Sequence, residues 1–229
     1  SIVMIPVVSS TAESPYACRI FCRATSHACP AISAVTVAST VGPVMNVLPE
    51  TEAKAAEGFK TLKVKISPET SEESILSVLS RFPGRLRLDA NGSLDLQTAR
   101  RWTEFARAQA QVEFLEQPLP VGHPGYASLG PDKIALDESF LTPGGIDWSG
   151  TVVVKPLLAG DWDDLLAWRA THVGTVVYSS CFETAIGRQG ALWLAAQDPA
   201  AGTIGFDTLG RFESDGRDRH AHGPTAGGL

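Results

Sequence analysis

Lys63 and Lys65 stand two residues apart in "TLKVKIS" (residues 61–67), a stretch otherwise rich in apolar and β-branched residues. Extended backbone alternates side chains between faces, so both lysines take one face, about 7 Å apart, with Val64 and Ile66 on the other. An isolated pair of this kind is ordinarily a solvated strand face. Four more runs, however, end in the same way: "RLRL" in Asp89, "VEFL" in Glu116, "KIAL" in Asp137 and "TVVV" in Lys155. Parity is kept throughout, pairing Arg87 with Asp89, Phe114 with Glu116, Ala135 with Asp137 and Val153 with Lys155.

A single Asp at a strand end is more often a turn or cap residue than a functional one. Five successive strand ends of this kind point to a shared site, with the lysine face turned inward. Its three carboxylates, free of thiol or imidazole partners, suit a hard cation such as Mg²⁺, with Mn²⁺ as a substitute. Lysines on either side of that cation point to removal of the weakly acidic proton beside a substrate carboxylate. The cation stabilises the enediolate, and a neutral lysine takes the proton. Cationic neighbours favour the neutral form of such a lysine.

The elements that position these residues follow from an alternation that begins at "GPVMNVLP". Strands are expected at 43–49, 61–66, "RLRLDAN", "VEFLEQP", "KIALDES", "TVVVKP", "TVVYSSCF" and "TIGFDT". Between them, helices are expected at "ETEAKAAEGF" (with Gly58 near its end), "SEESILSVLSRF" (capped by Ser67 or Ser71) and "LDLQTARRWTEFARAQA". "DWDDLLAWRATH" and "TAIGRQGALWLAAQ" complete the helices, and "GYASLG" reads as short helical or irregular. About eight strands over about 165 residues fit a compact (β/α) barrel, whose C-terminal strand ends form one active-site face. A doubly wound open sheet is the alternative, but no G-x-G-x-x-G follows the first strand and no P-loop is present.

Composition narrows the function classes. At 44% hydrophobic and 19% charged residues, the chain reads as a globular α/β protein rather than a disordered one. Its net charge of −6 does not suggest a nucleic-acid surface. No apolar run reaches the roughly 18 residues of a membrane span, and "SIVMIPVV" lacks a basic n-region, so a cytoplasmic protein is expected. Cys18, Cys22 and Cys29, with His27 among them, lack the paired knuckles of a zinc site and are expected as free thiols. Residues 1–41 show no clear period and are expected to be an atypical N-terminal segment. Residues 42–212 are expected to form the barrel and 213–229 a flexible tail, with His220 and His222 solvated.

As an ordered set, "LKVKIS", "LRLDANGS", "FLEQPL", "ALDES", "VVVKP" and "YSSCFETAIGR" resemble the enolase superfamily and, more narrowly, the o-succinylbenzoate synthase family of menaquinone biosynthesis. The resemblance implies that Asp89, Glu116 and Asp137 hold Mg²⁺. It implies Lys65 as general base, returning its proton to the departing hydroxyl. Lys155 becomes the cation steadying the enediolate and Lys63 the residue that tunes Lys65. Arg87, Asn91, Ser179 and Ser180 become candidate substrate contacts, with a buried salt-bridge partner the favoured reading of Arg87 and a polar turn the alternative for the two serines. The substrate is a small carboxylate, and the oligomeric state is left open.

The superfamily's α+β capping domain normally precedes the barrel, and residues 1–41 do not resemble it. A missing or severely truncated cap is therefore expected. An N-acylamino acid racemase or another epimerase is the alternative within the superfamily; "GFDTLGRF" holds one acid, Asp207, and no second acid two residues away, which argues against dipeptide substrates but not against acylamino acids. A catalytically weak barrel serving as a binding protein is the alternative outside enzymes.

Overall fold

The computed structural model describes residues 47–206 and the backbone strand Val37–Thr40. Among the described residues, seven strands form one sheet in sequential order: β1 (Val37–Thr40), β2 (Thr61–Lys65), β3 (Arg85–Asp89), β4 (Val112–Glu116), β5 (Ile134–Leu136), β6 (Thr151–Val154) and β7 (Val176–Tyr178). Each pairs in parallel with the next. Helices fill the crossovers: α1 (Val47–Ala56), α2 (Glu72–Arg81), α3 (Leu96–Ala108), α4 (Tyr126–Leu129), α5 (Trp162–Thr171) and α6 (Ala185–Ala196). A 3₁₀ turn, Glu138–Leu141, follows β5. Parallel neighbours joined by helices give a curled sheet that is the barrel-like half of a (β/α) fold. An eighth segment joins β7 at Gly205, whose N–H donates to Tyr178 O at 2.8 Å beside a parallel bridge to Ser179.

Local chemistry starts and stops these helices. Ser71, Asp95, Asp161 and Thr184 each accept a hydrogen bond from a first-turn N–H, satisfying donors that have no intrahelical partner. Ser71, rather than Ser67, is the cap of α2. After α1 the chain turns through Gly58 at φ 93°, a conformation open to glycine and costly for L side chains.

The two sheet faces pack against different partners. Leu62, Leu88, Leu115, Val152 and Tyr178 point outward and join the helices in the main core, with Trp102 of α3 fully buried among them. Phe114, Ala135, Val153 and Val177 point inward and form a small separate cluster. The expected parity is therefore observed at Phe114, Ala135 and Val153.

One expectation fails at the start of the sheet. Of the strand expected at 43–49, residues 47–49 instead begin α1, and 43–46 lie outside the described residues. The first strand is instead Val37–Thr40, with Val37 opposite Thr61. Helix formers in "ETEAKAA" extend the helix backward over "VLP", where Pro49 sits in the first turn and sacrifices no intrahelical bond. Cys18, Cys22, Cys29, His27, His220, His222 and the tail 213–229 lie outside the described residues. No helix among the described residues is long and apolar enough to cross a membrane.

Candidate active site

Strand register builds the site. Lys65 lies opposite Asp89, and Asp89 opposite Glu116, so three ionisable residues share one rung across β2, β3 and β4. Asp137 and Lys155 each follow the last residue of their strands, β5 and β6. Lys63 starts one inward position lower, opposite Arg87. Its Nζ nevertheless reaches Asp89 Oδ2 and Glu116 Oε1, each at 2.7 Å. Lys65 Nζ donates to Asp89 Oδ2 at 2.6 Å and also to Asn91 Oδ1. At the other end of the row, Lys155 Nζ donates to Asp137 Oδ2 at 2.6 Å and to Glu138 Oε1 at 3.3 Å.

Burial makes these contacts energetically consequential. Asp89 and Glu116 are each 1% exposed and Asp137 5%, and charge removed from water must be answered nearby. Burial raises the Asp89 carboxyl, yet Lys63 and Lys65 outweigh it and hold the group below the usual carboxylate range. Glu116 is pushed up to about 7 by burial, with the Asp89 and Asp137 charges adding to it against Lys63. Asp137 is also raised by burial, despite Lys155. Burial disfavours the charge on Lys63, but Glu116 and Asp89 prevail and hold its pKa high. The same balance holds Lys155 high through Asp137 and Glu138.

The cationic compensation is thus uneven, and Glu116 receives too little of it. A buried carboxylate between two others, with oxygen donors alone, fits a hard divalent cation by its chemistry. As they stand, no three acidic, imidazole or thiol side chains among the described residues form a ready-made cation cage. The carboxylates are paired with lysines instead, Lys63 bridging Asp89 and Glu116.

The supporting residues divide into expected and unexpected ones. Asn91 sits in left-handed backbone (φ 46°), and its N–H donates to Asp89 Oδ1 at 2.9 Å. It therefore orients an acidic side chain as well as receiving Lys65. Arg87 is 2% exposed and makes a two-pronged pair with Glu113 at 2.9 and 3.1 Å, over the Phe114 ring at 4.9 Å. A β-bulge makes this possible: Leu86 pairs with Val112 and Arg87 with Phe114, leaving Glu113 as the extra residue. Arg87 thus spends its guanidinium inside the barrel, below the acidic row.

Ser179 Oγ donates to Gly205 O at 3.2 Å. Ser180 Oγ donates to Glu183 at 3.0 Å and accepts from Phe182 N–H at 3.0 Å. Both serines hold the loop after β7. Gln117 is not among the residues that the strand-end pattern marks, yet it is 1% exposed and sits directly after Glu116 at φ 42°. Its only signal is its place between Glu116 and Pro118 in "LEQPL".

The curled parallel sheet with ionisable strand ends defines a class of barrel domain, and comparison with known proteins agrees. Residues 48–147 match the enolase C-terminal domain-like family. Through this domain the chain resembles the enolase superfamily and, over a longer overlap, o-succinylbenzoate synthase. It is 31% identical over 189 residues to the o-succinylbenzoate synthase of Thermosynechococcus vestitus, an overlap covering 74% of this chain and 59% of that protein. An L-Lys-D/L-Arg epimerase of Methylococcus capsulatus is 32% identical over 114 residues, 45% of this chain and 32% of that protein. Among solved structures, the Methylococcus capsulatus dipeptide epimerase complexed with Mg and the dipeptide L-Arg-D-Lys superposes with a TM-score of 0.64 at 25% identity. That match covers 74% of this chain and 53% of the epimerase. The chain therefore spans between about half and three-fifths of these two longer-matched relatives.

Proposed function

We propose that this chain carries the chemistry of an Mg²⁺-dependent dehydratase of the o-succinylbenzoate synthase type, in menaquinone biosynthesis. The observation that supports it is the row itself. Lys65 on β2 and Lys155 after β6 flank three carboxylates carried by the strands between them. Asp89, Glu116 and Asp137 would hold the cation, which supplies Lewis-acid stabilisation of negative charge on the substrate carboxylate.

Lys65 removes the proton beside that carboxylate, breaking the C–H bond. In the structure Lys65 is ion-paired to Asp89, so this role requires that the charge of Asp89 be answered elsewhere in the site. Lys155, on the far side, offers a fixed positive charge to the electron density that the carboxylate gains. Lys63 keeps Asp89 and Glu116 in register from below. The electron pair then expels the hydroxyl, and Lys65 returns its proton to it, so that water leaves and the ring becomes aromatic.

Proton transfer without elimination would make the same row an N-acylamino acid racemase or another epimerase, a reading favoured by the likeness to the L-Lys-D/L-Arg epimerase. Incubation of the full chain with the succinyl-hydroxycyclohexadiene carboxylate and with N-acylamino acids, each with Mg²⁺ or EDTA, separates the two. Aromatic product formed only with Mg²⁺ supports the dehydratase. Racemisation faster than dehydration replaces it with the epimerase.

A further inference from the structure

Gln117 uses its whole side-chain amide on the frame of the acidic row. Nε2 donates to Leu119 O at 2.9 Å and to Ser139 Oγ at 2.7 Å. Oε1 accepts from the N–H groups of Asp137 and Ser139 at 3.1 and 3.2 Å. Its backbone adds two more ties: its N–H donates to Ala135 O at 2.9 Å, and its carbonyl accepts from Gly92 N–H at 2.6 Å. One residue thus joins the end of β4 to the turn after Asp89 and to the backbone that carries Asp137.

Glutamine is suited to this as no apolar residue is, because one planar amide offers two donors and an acceptor with two lone pairs. The backbone it ties down is irregular, Asp137 having φ −108° and ψ −97°. A positive φ at a non-glycine residue costs free energy and persists where the surroundings over-determine it. Six hydrogen bonds from one buried residue do so here.

We propose that Gln117 is the positioning residue of the carboxylate row. It fixes Glu116 and Asp137 relative to Asp89 and thereby sets the affinity of the row for a divalent cation. The inference rests on the reading of that row as a cation site.

The test is Mn²⁺ titration of the full chain followed by the electron paramagnetic resonance signal of the free ion, with circular dichroism on each variant. Gln117→Met keeps length and bulk but loses all four side-chain bonds. Ser139→Ala loses the contact to Nε2, together with one to the Tyr126 hydroxyl, and guards against a Met variant that fails to fold. Thr103→Val is the control, since it removes a buried hydrogen bond to Ala99 O far along α3 and costs stability alone. Residues that orient metal ligands are worth about 10–100-fold in affinity, so Gln117→Met weakens Mn²⁺ binding by at least about tenfold. Ser139→Ala weakens it less and Thr103→Val leaves it unchanged. Folded Ser139→Ala and Gln117→Met proteins that bind Mn²⁺ within twofold of the parent overturn the positioning role alone. The positioning role also falls if Ser139→Ala is the only folded variant and binds like the parent, or if Thr103→Val weakens binding equally. A parent chain that binds no Mn²⁺ overturns the cation site and the inference together.

Discussion

The outer and inner faces of the sheet are built from the same strands and obey opposite rules. Outside, Leu88, Leu115, Val154 and Tyr178 meet the helices in a continuous apolar layer. Inside, the apolar set shrinks to Phe114, Ala135, Val153 and Val177, and the strand ends above it are charged. Burying charge is costly unless each charge is paired, and the inner face answers part of that demand with lysine–carboxylate contacts of 2.6 to 2.7 Å. The outer face holds the sheet together. The inner face keeps ionisable groups at positions that stability alone would have filled with leucine or valine.

Changes on the two faces should therefore separate. Lys155→Ala should lower dehydration by about 10²–10³-fold, the usual loss for one preorganised electrostatic contact. Its melting temperature should also fall, though by less than turnover does, because the buried Asp137 loses its ion-pair partner but can take up a proton instead. Steady-state kinetics with thermal denaturation check both halves, and a large loss of stability with normal turnover would merge the two faces again. Leu115→Ala is the reverse experiment. Removing a fully buried side chain between sheet and helix should cost about 2–5 kcal/mol in chemical denaturation, with turnover per folded molecule nearly retained.

The smallest effect lies on the outer layer, far from the acidic row. His172 stacks on Trp168 at 4.5 Å, and burial, helped by the Arg169 charge, lowers its pKa against a Gly150 backbone contact. A depressed folded pKa means that the unfolded chain binds the proton more readily. Its contribution to stability is thus present at neutral pH and declines as pH falls below the ordinary histidine range. His172→Phe keeps the stacking and should flatten the pH dependence of unfolding between neutrality and the onset of carboxylate titration. An unchanged slope would place the titration elsewhere.

The parts legible in the sequence were those that repeat. Alternation along buried strands placed Lys65, Asp89, Glu116, Asp137 and Lys155 on one face, because a strand's side-chain period is fixed whatever its neighbours do. Features that depend on a distant partner were not legible. Gln117 looks like one more loop residue until its amide meets Asp137 and Ser139 across the gap to β5. The bulge inserts Glu113 between the Leu86 and Arg87 rungs without any glycine to mark it. Helical composition overruled β-like residues at Val47 and Leu48, where a local pattern of three or four residues carries too little periodicity to decide.

In the proposed reaction the inner row removes a proton through Lys65. This step is tested most directly by ¹H NMR of the carboxylate substrate in deuterated buffer with Mg²⁺, following loss of the signal of the proton beside the carboxylate. The native chain should remove that proton through Mg²⁺-dependent dehydration or exchange, and Lys65→Ala should do neither above the rate of buffer alone. Proton loss that persists in folded Lys65→Ala, or that proceeds equally in EDTA, would contradict the account.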